Sequence, residues 1–190
     1  MREELMKRIK DGTSTIKVEG DDTYKQKVYD SLETLAETDT GLALLLGNEQ
    51  HGKGVTIKMT EPGKGNTENA NKFSDGLYDY DNDKPGPGTG STVNFDPDRT
   101  KAGNKPWSER DPAVGLGHEL IHSYHDGNGT TDGRKNAAGK RSLPYKGKDG
   151  KMHAAPGYEQ QTVGLGEYEN EPLTENNIRD EMGETERDYY

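Results

Sequence analysis

The chain has 190 residues, of which 27% are hydrophobic and 32% are charged, and its net charge is −10. The negative charge disfavours nucleic acid as a partner, because the phosphate groups would be repelled. No apolar stretch is long enough to span a bilayer, and we identify no hydrophobic signal segment near the N-terminus. The absence of cysteine excludes disulfides and thiolate metal sites. We therefore expect a loop-rich protein with no nucleic-acid or membrane partner. We further expect an α+β fold and a monomer.

The first half of the chain contains two alternating segments and one helical stripe. Residues 15–19 and 55–59 alternate between apolar and polar side chains, so we predict two short strands that pair with each other. Residues 23–38 carry apolar side chains at helical spacing, and Asp22 is the candidate cap of that helix. The apolar run at residues 41–47 is too short to distinguish a buried strand from a helical turn.

Two loop-rich segments flank the central part of the sequence. We predict that residues 61–90, rich in Gly, Asn, Asp and Pro, form a surface excursion with a short strand around residues 77–80. The acidic residues there do not have the spacing of an EF-hand, so a solvated loop is favoured over a calcium site. Residues 91–96 alternate and form our candidate for an edge strand that pairs with a substrate, with an internal strand as the alternative. Residues 130–157 are locally basic and read as a solvated loop.

The clearest motif is His118-Glu119-Leu120-Ile121-His122, which has the pattern H-E-x-x-H. Residues four apart lie on one face of a helix, so His118 and His122 can bind one metal ion. Glu119 can then reach the water bound to that ion and act as a general base. A helix is expected here because Asp111 suits the N-cap, Pro112 suits the first turn, and a glycine at position 127 marks a common helix end.

A catalytic zinc site needs a third protein ligand and an open position for water. The metzincin pattern would place a histidine at position 128, where this chain has Asn128. We therefore expect a carboxylate ligand from further along the chain. The candidates are Glu159, Glu167, Glu169 and Glu171, with Asp126 and Asp132 nearby. Glu159 would complete a set of two histidines and one glutamate, which is the gluzincin type of site.

Three segments resemble known families of zinc peptidases. The H-E-x-x-H motif followed by His125, and the segment at residues 159–164 (Glu-Gln-Gln-Thr-Val-Gly), are similar to those of clostridial neurotoxin light chains. Tyr158 stands where those proteins usually carry a second acid. The NleD-type secreted effector metallopeptidases are more similar, since they share the helix motif, the Glu-x-x-Thr-Val-Gly segment, and a tail like residues 173–183 that ends in Arg-x-x-Tyr. The specific resemblance covers about residues 93–190.

This resemblance implies a zincin-like fold with a small twisted sheet, an active-site helix and long loops. It implies Zn²⁺ as the cofactor, Glu159 as the third ligand, and Arg187 and Tyr190 as the groups that stabilise the oxyanion, with Tyr189 as an alternative to Tyr190. It also implies a zinc endopeptidase that is secreted as a virulence effector or toxin and delivered into the cytoplasm of a host or target cell. The implied substrate is a mitogen-activated protein kinase.

Several further expectations follow from the sequence. Residues 1–190 are predicted to form a single metallopeptidase domain, with an N-terminal part at 1–90 and a catalytic core at 91–190. We expect His125 to orient a metal ligand, and Arg179 and Glu181 to belong to an ion-pair or helix-cap set near the site. One alternative function is an interbacterial toxin protease released from a larger polymorphic protein. The other is a binding protein whose zinc is structural, although a closed structural site has no need of a base at Glu119.

Overall fold

The computed structural model describes residues 1–190 and has an α+β architecture with seven α-helices, a four-stranded mixed sheet and a separate β-hairpin. The helices are α1 Arg2–Lys10, α2 Asp22–Leu35, α3 Asp39–Gln50, α4 Phe73–Gly76, α5 Pro112–Asn128, α6 Gly157–Val163 and α7 Glu175–Glu181. The strands are β1 Ile16–Glu19, β2 Val55–Met59, β3 Thr67–Ala70, β4 Ser91–Phe95, β5 Leu143–Lys146 and β6 Met152–Ala155. None of the helices is both long enough and apolar enough to cross a membrane.

The strand order of the sheet is β1-β2-β4-β3. The strands β1, β2 and β4 run parallel, which confirms the predicted pairing of the first two, and β3 lies antiparallel against β4 at one edge. The strand at residues 91–96 is therefore internal, and the candidate edge role that we gave it is wrong. The actual edge strand next to it, β3, is a polar segment that the sequence analysis assigned to a loop.

The helical segments follow their apolar stripes, but the helix predicted over residues 23–38 spans Asp22–Leu35. Helix α2 is capped by Asp21, whose side chain accepts a hydrogen bond from the N–H of Tyr24, and not by Asp22. The undecided apolar run lies inside α3, which begins after Thr38 because that side chain accepts from the N–H of Gly41. The strand predicted around residues 77–80 is absent, and only isolated single-residue pairings occur there.

One continuous hydrophobic cluster joins the two halves of the chain. It runs from Leu5 in α1 to Ile178 in α7 and includes the buried face of the sheet and the apolar side of α5. Alternate residues of β2 and β4, such as Ile57 and Val93, are fully buried in it because side chains alternate across a strand. A smaller cluster lies between the β5–β6 hairpin and α6. Helix α5 is thereby held between the sheet, α2, α3 and α7.

Candidate metallopeptidase active site

Helix α5 carries the H-E-x-x-H motif, and local sequence signals fix its ends. The Asp111 side chain accepts a hydrogen bond from the N–H of Ala113, and Pro112 occupies the first turn, as predicted. The helix ends at Gly129, which has a left-handed conformation with φ of 68°, and not at Gly127. Glycine adopts this left-handed conformation at little cost, so Gly129 can end the helix. The helix is therefore two residues longer than predicted.

Two glycines inside α5 make room for neighbouring side chains. A Cβ atom at Gly115 would lie 3.0 Å from Nη2 of Arg110, and one at Gly117 would lie 2.9 Å from Cδ1 of Ile178. Glycine weakens a helix interior by roughly 1 kcal/mol relative to alanine. The two glycines therefore lower the intrinsic stability of α5, but they allow the side chains of Arg110 and Ile178 to pack closely against it.

Three side-chain atoms from two helices form a triangle at the centre of the site. The Nε2 atoms of His118 and His122 are 3.3 Å apart, and Oε2 of Glu159 lies 3.4 Å from each of them. A tetrahedral zinc ion with bonds of about 2.0–2.1 Å separates its ligand atoms by about 3.3–3.4 Å. Oε2 of Glu159 is buried and has no hydrogen-bond partner. The donor types, their spacing and this unpartnered oxygen all fit a zinc ion.

Helix α6 supplies both Glu159 and a residue that orients His122. Thr162 lies three residues after Glu159, so both face the same side of α6. Its Oγ1 is 3.1 Å from Nδ1 of His122, on the side of the imidazole opposite Nε2. The threonine of the Glu-x-x-Thr segment therefore fixes the ring whose other nitrogen points at Glu159.

His118 is oriented in the same way by Glu175, which the sequence analysis did not identify as a site residue. Oε2 of Glu175 is 2.7 Å from Nδ1 of His118, and its Oε1 accepts a 2.6 Å hydrogen bond from Nε of Arg179. Glu175 is fully buried. Burial opposes its ionisation, but the hydrogen bond with His118 and the charges of His118, Arg187 and Arg179 hold its pKa well below the usual range. The only sequence signal for Glu175 was its position four residues before Arg179 on one helix face.

The charges around His118 favour a cation at the centre of the triangle. Burial lowers the pKa of His118, but Glu159 and Glu175 outweigh burial and raise it to about 10. Burial likewise raises the pKa of Glu159, whereas the neighbouring His122 and His118 lower it below its usual range. The carboxylates thus stabilise positive charge on the imidazole. The same negative surroundings would stabilise a divalent cation.

Glu119 lies beside the triangle on the same helix. Its carboxylate and the nitrogens of His118 and His122 lie within 4.8 Å of one another, so the three form a possible metal-binding group. This distance alone does not show whether Glu119 would bind the metal or act as a general base. Burial raises the pKa of Glu119, which favours proton acceptance. Oε2 of Glu159 lies 3.4 Å from both imidazole nitrogens, so Glu159 and Glu119 are the two carboxylates available here for ligation and proton transfer.

The C-terminal segment places Tyr190 and Arg187 next to this site. Tyr190 lines a cleft of about 460 Å³ together with His118, Glu119 and Glu159. Nη1 of Arg187 donates a 3.2 Å hydrogen bond to Oε2 of Glu175. The Arg187 guanidinium also lies 4.8 Å from the centroid of the Tyr190 ring. Burial, followed by the charge of Glu159, raises the pKa of Tyr190, so this phenol stays a hydrogen-bond donor.

Tyr189 points elsewhere. Its ring stacks on His153 at 4.3 Å and meets the edge of Trp107 at 4.9 Å. The segment is held by side chains of other elements, since Tyr145 Oη accepts a 2.8 Å hydrogen bond from the N–H of Tyr190. Of the two tyrosines considered from the sequence, the structure brings Tyr190 to the site.

The cleft also has a carboxylate pair on its other wall. Glu68 of β3 is half-buried, and its Oε1 has no hydrogen-bond partner. Burial and the neighbouring Asp126 carboxylate raise the pKa of Glu68 to about 9. Asp126 is buried and accepts a 2.5 Å hydrogen bond from Oγ1 of Thr131. Neither carboxylate belongs to the triangle, but both line the cleft beside it.

The remaining candidates lie outside the site. Asp132 is buried and bound by Arg134 and Tyr168, and Glu167 pairs with Arg134. Glu169 and Glu171 are exposed.

Two further expectations about the surroundings of the site have different outcomes. The imidazole of His125 is not hydrogen-bonded to His118 or His122; its Nδ1 is 2.9 Å from Oγ1 of Thr130, and burial, together with the nearby charge of His122, lowers its pKa to about 3. Arg179 joins the Glu175 ion pair, and Glu181 caps the start of α3 by accepting from the N–H of Thr40, so the expected ion pair and helix cap are both present.

A family model described as "Effector protein", peptidase M91, matches residues 12–190. The chain belongs to the peptidase M91 family. This confirms the resemblance to NleD-type peptidases and extends it over residues 12–90, where the sequence analysis found no motif. M91 membership and the group of His118, Glu119 and His122 together support a metallopeptidase that acts on a protein substrate. No curated protein matches the chain.

Proposed function

We propose that this M91 peptidase is a zinc-dependent endopeptidase of the gluzincin type with a zincin-like fold. His118, His122 and Glu159 would hold the ion, and Glu119 would act as the general base. The observation that carries the proposal is the triangle of two imidazole nitrogens and one unpartnered carboxylate oxygen, with sides of 3.3–3.4 Å. The neighbouring Glu119 makes this a catalytic site, since a purely structural zinc site does not need a base beside its ligands.

The protein side chains supply proton transfer and charge stabilisation. When bound, zinc supplies Lewis acidity that lowers the pKa of a coordinated water to about 7 and polarises the scissile carbonyl. Glu119 accepts the proton of the attacking water and delivers it to the leaving amine nitrogen. Glu175 and Thr162 keep the two imidazoles in the orientation and tautomer that metal binding requires.

Arg187 and Tyr190 are placed to stabilise the negative charge that develops on the carbonyl oxygen. Arg187 is always charged and is held by Glu175, while Tyr190 is a protonated phenol in the cleft. A donor of this kind contributes about 2.7–4 kcal/mol to lowering the barrier. We propose these two residues as the oxyanion-stabilising groups.

The edge strand β3 is the proposed binding site for the substrate backbone. The N–H of Asn71 bonds to the carbonyl of Gly90 on the inner side, so the alternate N–H groups of Glu68 and Ala70 face outward. Both residues line the cleft that contains Glu119 and Glu159. An extended peptide can add to this edge as a further strand and place its scissile bond over the metal site.

The proposed setting is the cytoplasm of a host cell, into which the protein is delivered as a secreted effector. The effector family and its peptidase chemistry support a protein substrate. The sequence resemblance to NleD-type peptidases suggests a mitogen-activated protein kinase as that substrate.

The proposal is tested by measuring metal content and cleavage on the same four proteins. Wild type, Glu119→Gln, Glu159→Gln and the exposed control Glu169→Gln are purified and loaded with zinc. Each is then incubated with a purified mitogen-activated protein kinase. We expect one zinc per chain in all except Glu159→Gln, and cleavage only by wild type and Glu169→Gln. Cleavage by Glu119→Gln at the wild-type rate would contradict the mechanism.

A further inference from the structure

A second cavity adjoins the cleft along β3, and the two share Asn66, His118, Glu119 and Tyr190 in their walls. The second cavity has a volume of about 190 Å³, and Glu119, Tyr190 and Trp107 contribute to its wall. Four arginines also line it, Arg99, Arg110, Arg179 and Arg187. A cavity that borders the general base and the oxyanion donors is in position to receive a side chain next to the scissile bond.

Arg110 lines this cavity and has one unused hydrogen-bond donor. Its side chain is only 9% exposed, yet its Nε is buried without a hydrogen-bond partner. Its ion pair with Glu175 spans 3.8 Å, which is too long for a hydrogen bond. Nε of Arg187 is also buried and unpartnered. Arg179 differs, because it donates to Glu175 and to the carbonyl of Thr185. Unpaired buried donors of this kind are rare in folded proteins and indicate a missing partner.

The charges around the cavity also favour an anion. Glu175 is the carboxylate shared by Arg110, Arg179 and Arg187, and it bonds to His118 as well. Glu184 approaches only Arg179, at 3.5 Å. Glu119 also lines the cavity, but these three carboxylates do not balance the four arginines, so the cavity keeps positive charge.

The fold makes room for the Arg110 side chain in this position. Gly115 lies on α5 one turn before Glu119, and a Cβ there would be 3.0 Å from Nη2 of Arg110 and 2.9 Å from Nδ2 of Asn66. Guanidinium groups bind carboxylate and phosphate through paired, charge-assisted hydrogen bonds.

We propose that this cavity is a specificity pocket for an anionic side chain, a carboxylate or a phosphate, on a substrate residue that flanks the scissile bond. Arg110 is the residue that binds the anionic group, and Arg187 contributes to this binding. This assignment rests on the proposed peptidase function, since it concerns the substrate of the same site.

Anion binding can be tested without catalysis, because Trp107 is the single tryptophan of the chain and lines the pocket. The zinc-loaded protein is titrated with N-acetyl-phosphoserine amide, N-acetyl-glutamate amide and the neutral N-acetyl-glutamine amide, while Trp107 fluorescence is recorded. We expect a saturable change with at least one anionic probe and none with the neutral probe. The two anionic probes distinguish phosphate from carboxylate.

Variants assign the binding to Arg110. Arg110→Gln should weaken binding by about tenfold or more, because a charged hydrogen-bond donor is lost. The exposed control Arg2→Gln makes the same charge change outside the pocket and should have no effect. Arg110→Gln could misfold, so Ala102→Glu is compared with Ala102→Gln at another lining position. The carboxylate variant alone should abolish anion binding. Equal affinity in wild type, Arg110→Gln and Ala102→Glu would overturn the proposal.

A peptide library connects the pocket to cleavage. Proteome-derived peptides, with and without phosphatase treatment, are digested by wild type, Arg110→Gln and Glu119→Gln, and the new termini are sequenced. We expect an acidic or phosphorylated residue at one fixed position beside the cleaved bond, with that preference lost in Arg110→Gln. Cleavage by wild type without such a preference would overturn the pocket and leave the peptidase function intact. No cleavage by wild type would remove the proposed function, and the substrate assignment with it.

Discussion

His118 and His122 each have one ring nitrogen engaged by a protein group and the other turned toward Glu159. Glu175 and Thr162 are the partners at 2.7 and 3.1 Å. Such partners fix the tautomer of a metal-binding histidine and increase its basicity. The proposed metal site therefore depends on residues that would not touch the ion.

Replacing Glu175 with Gln should weaken zinc binding. The expected loss is about 10- to 100-fold in affinity, because His118 loses its negatively charged partner. Competition titration with a chromophoric chelator measures this. Glu181→Gln is the matched control on the same helix: it removes the negative charge that caps α3 at Thr40, so it should lower stability slightly while leaving zinc affinity unchanged. Unchanged affinity in Glu175→Gln would contradict the orienting role. Thr162→Val removes the hydroxyl that contacts His122 and should reduce zinc affinity by a smaller factor.

Glu68 should make the stability of the protein fall as the pH rises. Burial and the Asp126 carboxylate raise its pKa from about 4.5 to about 9 in the folded state. Between these values the folded chain binds more protons than the unfolded chain, so unfolding becomes easier with increasing pH. Glu68→Gln should remove this slope and raise the unfolding free energy by at least about 1 kcal/mol near the upper end of the window. Urea unfolding at both ends of the window tests this, and an unchanged slope in the variant would refute it.

At the level of elements, the site is made by α5 and α6 on one side and β3 on the other. Helix α5 could be predicted because its cap, its proline and its motif are all local signals. Strand β3 could not, because Thr67-Glu68-Asn69-Ala70 has no apolar alternation. Its place at the edge is set by pairing with β4 across 20 intervening residues, from 71 to 90. Glu175 was missed for the same reason, since its partner His118 lies 57 residues away.

A proline at position 70 should impair substrate binding selectively. The N–H of Ala70 faces away from β4, so Ala70→Pro removes an outward donor and leaves the sheet hydrogen bonds in place. We expect KM for a protein substrate to rise by about tenfold, corresponding to the loss of about one well-formed hydrogen bond, with little change in melting temperature. Ala70→Ser keeps the N–H and should behave like wild type. A normal KM in Ala70→Pro would argue against pairing of the substrate with β3.

At the level of the whole molecule, the hydrophobic cluster connects α1 with α7. We therefore propose that residues 1–190 fold as one unit, in which the N-terminal part supports the catalytic core. The sequence predicted the α+β class from its mixture of alternating and helical stripes. It could not predict the strand order, because that order depends on contacts between segments distant in the chain.

Removal of the metal should destabilise this unit. The proposed metal-binding side chains join α5 to α6. A bound ion present at 100 times its dissociation constant adds about 2.7 kcal/mol to the stability of the folded state. For a chain of this size, that corresponds to a drop of roughly 5–10 °C in melting temperature after chelation. Re-addition of zinc should restore it. The melting temperatures are measured by calorimetry. Chelation should lower the melting temperature of Glu159→Gln much less than that of wild type. An equal drop in both proteins would exclude Glu159 as a metal ligand.

The most direct test of the central claim is the comparison of new protein N-termini after incubation of host-cell and bacterial lysates with zinc-loaded wild type or Glu119→Gln. The proposed peptidase predicts new termini in the host lysate with wild type only, including one within a mitogen-activated protein kinase. Termini confined to the bacterial lysate would instead indicate an interbacterial toxin. The same termini from Glu119→Gln, or none from either protein, would contradict a zinc peptidase that uses Glu119 as its base.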